Sequence, residues 1–172
     1  MRARILHGLV LTCVLAGGCH SPRSNMTPRS LPGSVNPLVI RTEFGHERAW
    51  KQICAGVRAP VQVPGDEFYA HVDFLDDVTF RGLSKDALVA LVPQNYNHSV
   101  LFVVDATTVS QPEFPILVVD LHAEKGRSFR AIPTAIQSIE NNLSIANMDF
   151  FEFANAVEKD GVFRGFPRRS GN

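Results

Sequence analysis

The 172-residue chain contains only three cysteines, one tryptophan and two tyrosines, and it carries no excess of either charge. Seventeen basic side chains stand against seventeen acidic ones. That balance excludes both the basic surface that nucleic acid recruits and the charge-heavy, apolar-poor composition of a disordered chain. No nucleic-acid partner is expected. With twelve phenylalanines, the aromatic content points to core filling rather than base-stacking platforms. The glycine patterns of common enzymes are missing too. Ser99, Ser110 and Ser128 lack the flanking glycines of a nucleophile elbow, and no phosphate loop or dinucleotide fingerprint occurs. The sequence therefore implies no cofactor. The length suits one domain with a sizeable core, and no repeat period divides it.

What is present begins at the N-terminus. Arg2 and Arg4 give a positive start, and Ile5 to Ala16 form an apolar run broken only by His7 and Thr12, too short to stay in a bilayer as a spanning helix. Leu15-Ala16-Gly17-Gly18-Cys19 then resembles the lipobox of bacterial lipoproteins, with Ala16 where leucine is usual. The resemblance implies a signal peptide over 1–18, cleavage before Cys19, and acylation of that residue with enough chains for stable anchoring. The expected localisation is the cell envelope, as a membrane-anchored lipoprotein. A plain cleaved signal is one alternative. Initiation at Met26, giving a cytoplasmic stand-alone domain, is another. Cys13 leaves with the signal and Cys19 takes lipid, so Cys54 is left without a disulfide partner.

Residues 19–36 are rich in Ser, Pro, Arg and Asn and predict a flexible tether. The domain is expected over 37–167, with a polar tail over 168–172. Leu38-Val39-Ile40 opens a strand; Trp50, Ile53, Cys54 and Val57 recur at helical spacing, with Gly56 and Pro60 marking the end of that helix. Phe68, Ala70, Val72 and Phe74 alternate as in one half-buried strand. Ser84 reads as a helix cap, and Pro93 as the stop. Val100–Val104 and Ile116–Val119 are apolar runs of central strands, and the few residues between them predict antiparallel neighbours or strands offset within one sheet. Glu124-Lys125-Gly126-Arg127 predicts a tight turn into Ser128–Ile132. Pro133 starts a helix with Ile136, Ile139 and Leu143 on one face. Asp149 and Glu152 form a capping box flanked by Met148 and Phe153, and Gly161 is expected as the left-handed cap closing that helix. The fold class is α+β, a single domain with a mostly antiparallel or mixed sheet of about five strands and about four helices.

Three strands are expected to end in aspartate, at Asp73, Asp105 and Asp120, with His122 two residues past the last. Asp105, Asp120 and His122 form one metal-ligating set, suited to Mn²⁺, Zn²⁺ or Mg²⁺ and an activated water. The plainer reading is that aspartate is common where strands stop, because it bonds to turn amides. Asp73, Asp76 and Asp77 form an acidic cluster open to a basic partner or a cation, or simply a solvated loop. Cys54 with His71, His98 or His122 would make a nucleophile and base, but Cys54 sits on an apolar helical face where thiols are inert. Arg164, Arg168 and Arg169 suit anionic headgroups or merely aid solubility.

The segments Val39-Ile40-Arg41-Thr42 followed by Trp50, His98 to Asp105, and SIENNLSIANMDFFEFANAVEKDGVFRGF from Ser138 to Phe166 resemble a family of small bacterial domains of unknown function. The resemblance covers about residues 37–167 and implies no activity, cofactor or catalytic residue. The expected function is a lipid-anchored envelope protein whose domain is a non-catalytic binding module for a protein partner, immunity to a toxin being one version. The enzyme reading is a metal-dependent hydrolase using the strand-end aspartates.

Overall fold

The apolar run after Pro37 forms β1 (Leu38–Arg41), a central strand of the computed structural model, which describes residues 30–167. The expected signal peptide, Cys19, Met26 and the tail from 168 lie outside the described residues. Along the chain follow α1 (Glu47–Arg58), β2 (Val61–Val63), β3 (Asp66–Phe68), β4 (Asp73–Leu75), α2 (Lys85–Ala90), β5 (Val100–Val104) and α3 (Ala106–Ser110). Then come β6 (Ile116–Asp120), β7 (Ser128–Ala131), α4 (Ile136–Ser144), α5 (Phe150–Asn155) and β8 (Val162–Phe163). The main sheet is mixed, in the order β4-β1-β5-β6-β7-β8, and β2 with β3 makes a separate hairpin. β1 is parallel to β4 and β5, β5-β6-β7 form an antiparallel meander, and β8 runs parallel to β7.

β1 and β5 are buried at every position because helices cover both faces of this half of the sheet. Val39, Val100, Phe102 and Val104 face Trp50, Ile53 and Val57 of α1 and Ile136 and Ile139 of α4. On the other face Leu38, Ile40, Leu101 and Val103 meet Phe80 and Leu88. Alternate residues of one strand therefore serve two cores.

The capping signals hold at the atomic level. The Ser84 side chain accepts the Ala87 N–H at 3.2 Å, and Asp149 and Glu152 form the reciprocal capping box of α5. The β5–β6 pair is antiparallel, as its short connection requires.

Four expectations are corrected. Gly56 lies inside α1 instead of ending it, because α1 packs so close to Pro133 that a β-carbon at 56 would stand 2.9 Å from the proline ring. The alternating stretch from Phe68 to Phe74 is not one strand: Phe68 belongs to the hairpin and Asp73 begins β4, while between them the His71 N–H is taken at 3.0 Å by the buried Glu140 carboxylate. Gly161, with φ +79°, does not close α5, which stops at Asn155; it forms the turn that enters β8. Residues 30–36, expected to belong to the tether, instead lie against the domain; the rest of that stretch lies outside the described residues.

Leu31 anchors that last segment. It is 2% exposed, packs in the core with Leu38 and Leu88, and its N–H bonds to the Leu91 carbonyl at 2.8 Å. Asp73 accepts both the Val35 and Asn36 amides at 3.0 Å. Leu31→Ala is expected to cost about 2 kcal/mol of unfolding free energy, the low end for buried leucine because the segment's end can settle into the gap. Urea denaturation checks this. A change below about 0.5 kcal/mol, the scale of an ordinary surface substitution, would show that the segment merely rests on the domain.

Candidate functional site

The order β4-β1-β5 has a consequence for where a ligand fits. From β1 the chain passes through α1 to β4 on one side, then through α2 to β5 on the other, so the connections diverge between β1 and β5. In open sheets of this kind the crevice outside the carboxyl ends of such strands is the usual ligand site. A cleft of about 270 Å³ opens there. Thr42 and Glu43 line it from the end of β1, Asp105 and Thr107 from the end of β5, and Gly82 and Lys85 from the entry to α2.

Two arginines brace this edge, one from the other face of the sheet and one from β7, two strands along from β5. Arg41 ends β1 with its side chain only 4% exposed. Its Nη1 donates to Glu47 at 2.9 Å and to Asp76 at 3.1 Å, its Nε donates to the Glu43 carbonyl, and its guanidinium lies 4.6 Å from the Phe44 ring centroid. Arg130 of β7 grips Asp105 with both terminal nitrogens, at 3.1 and 2.7 Å, and also reaches the Pro115 carbonyl. Asp105 in turn accepts the Thr108 amide at 2.8 Å and caps α3. Burial pushes the Asp105 carboxyl upward in pKa, but Arg130 and the Thr108 donors outweigh it and hold it below the usual carboxylate range.

The groups facing the cleft already have partners. Thr42 Oγ1 donates to the Val104 carbonyl at 3.2 Å, Glu43 accepts the Gly45 amide and pairs with His46, and the Lys85 ammonium reaches away from the cleft to the Gly126 carbonyl in the β6–β7 turn. They set polar groups among the apolar side chains of Leu83, Val103 and Leu117.

The structure does not assemble the expected metal set. Asp120 lies opposite Val100 at the amino end of β5, whereas Asp105 follows the carboxyl end, about 17 Å away at strand rise. The two oxygens of Asp120 accept the His122 amide at 2.8 Å and the Glu124 amide at 2.6 Å, which is the turn-aspartate role. Asp73 starts its strand instead of ending it, and stands three strands from Asp120, about 14 Å across the sheet. The acidic cluster is likewise divided. Asp73 holds the Val35 and Asn36 amides at the amino edge, Asp76 pairs with Arg41 at the carboxyl edge, and Asp77 caps a 3₁₀ turn through the Thr79 amide. Cys54 is buried on α1, where burial above all pushes its thiol up to about 11. No histidine hydrogen-bonds to it among the described residues. Arg164 is the hub of an ion network with Glu113, Glu158 and Asp160.

Sequence reasoning missed Arg41 and Arg130. The signal was an arginine closing a fully apolar strand and another alternating with Phe129 and Ala131.

A family model described as a domain of unknown function (DUF6924) matches residues 36–166. No curated protein and no solved structure matches the chain.

Proposed function

Because the chain belongs to the family of the domain of unknown function DUF6924, no activity comes with membership, and we propose that it is a non-catalytic binding module, moored through Cys19, that receives a protein partner at its carboxyl-edge cleft. One observation carries this reading. The cleft stands at the switch point of the sheet, between two central strands that the core holds rigid. Its polar groups are already engaged in structural hydrogen bonds and ion pairs, so they offer fixed shape and charge to a partner more readily than a nucleophile or a base to a substrate.

The mooring fits the same geometry. The chain enters the domain along the amino edge, where Leu31 bonds to Leu91 beyond the end of α2. Cys19 lies twelve residues earlier, a reach of at most about 40 Å. A domain held from that side presents its carboxyl edge outward. No helix among the described residues is long and apolar enough to cross a membrane, and the lipid reading needs none.

A photo-crosslinking residue at position 107 in the full chain, expressed in cells, is expected to give one adduct of defined mass. Glu43→Arg, which reverses charge on the facing wall, should remove it, and the same probe at Gln52 on the outer side of α1 should give none. Equal labelling at both positions, or none at 107, rejects the cleft. Radiolabelled palmitate should enter the chain and be lost in Cys19→Ala. A mature N-terminus at Met26 without acyl mass would replace the membrane by the cytoplasm and leave the cleft to its own test.

A further inference from the structure

At the opposite, amino edge of the sheet a second recess of about 230 Å³ lies between the end of β6 and the loop joining α4 to α5. Its walls are apolar, from Leu143, Met148, Phe150 and the methyl groups of Ala123 and Ala146. Two carboxylates border this lining, the buried Asp120 and the exposed Asp149, and no lysine or arginine does. Asp120 is only 2% exposed and has no cationic partner among the described residues. Its oxygens take one backbone amide each, whereas an ionised carboxylate offers about four acceptor positions, so acceptor capacity is left over. Asp149 spends part of its capacity capping α5 and is likewise unpaired with a cation. Ser99 and His122 complete the polar part of the wall.

We propose that this recess is a binding site for a small primary amine with an apolar body. The ammonium group supplies three donors and a positive charge to the buried Asp120 and to Asp149 at the exposed mouth, and a short hydrocarbon chain removes the apolar walls from water. A free anion would meet two like charges, and a fully apolar molecule would cover the spare acceptor positions of Asp120 without filling them. The recess has the volume of roughly eight liquid waters, which fits a chain of five or six carbons. The site lies at the edge away from the carboxyl-edge cleft, and its standing is independent of that reading.

The test uses the ¹⁵N-labelled chain titrated with n-hexylamine, n-hexanol and hexanoate, followed by amide shifts. Hexylamine is expected to move the amides of Ala123, Ala146 and Phe150 and to bind at least tenfold more tightly than hexanol, with hexanoate weakest. Asp149→Asn keeps a good helix cap while removing one charge, and should cut the advantage of amine over alcohol several-fold with the spectrum otherwise unchanged. Ala123→Phe should fill the recess and abolish the shifts. Equal affinity for amine and alcohol, shifts scattered away from these residues, or no saturable binding of hexylamine would overturn the assignment.

Discussion

Phe153→Ala is expected to remove about 4 kcal/mol of unfolding free energy, a large part of the 5–15 kcal/mol typical of a whole domain. The ring is fully buried and stands edge-on to Phe163 at 5.4 Å, with Phe166 tilted against it at the same distance. Phe129 extends the stack from β7, touching both Phe150 and Phe163. Phe153 therefore ties α5 to β8, and Phe150 ties it to β7. α5 has only six residues, far fewer than an isolated helix needs to persist in water, so its existence depends on this packing. Phe151, two positions earlier and 48% exposed, is the control: its alanine variant should change stability by no more than about 0.5 kcal/mol. Urea midpoints for the two variants decide the matter. Similar losses at 151 and 153 would show that the helix is held by propensity or capping instead of by the aromatic stack.

The second large effect is expected at Asp105. Asp105→Ala should cost about 3 kcal/mol, because it removes the cap of α3 and leaves the part-buried Arg130 guanidinium without its bidentate partner. Arg130→Ala should cost less, about 2 kcal/mol, since the remaining carboxylate keeps the Thr108 amide and hydroxyl. Acid offers a check that does not depend on volume. The folded carboxyl titrates below its ordinary value, so its contribution is fully present above that ordinary range, near pH 4, and is lost as the pH falls through the folded value. The stability gap between the native chain and Asp105→Asn should therefore be widest at neutral pH and close as the pH falls below the ordinary carboxylate range. A gap that stays constant across that range would mean that the Arg130 contact is not electrostatic.

The candidate cleft was only partly legible beforehand. Asp105 stood out as a strand-end aspartate, and its capping role follows from local chemistry. Its partner Arg130 lies 25 positions away and enters only when β6 and β7 fold back beside β5. The same distance problem hid the split of Asp73 from Asp76. They sit three residues apart, but β4 carries one to each edge of the sheet. α3 escaped notice because five residues cannot display a helical period. The false single strand from Phe68 to Phe74 has the reverse cause: its alternation is real, but Ala70 and Val72 pack as irregular chain whose His71 amide is held by Glu140.

Local chemistry, by itself, determined where α2 and α5 begin, which runs become the buried strands β5 and β6, and that those two are not joined by a simple parallel crossover. Caps, apolar periodicity and the reach of a short connection act within about ten residues, and they are readable there. Only tertiary packing decided that β1 lies between β4 and β5, that Leu31 belongs to the core, and that Arg41 and Arg130 brace one edge. Those outcomes depend on which distant surfaces bury each other best, a choice made by the whole core at once and written in no single stretch of the chain.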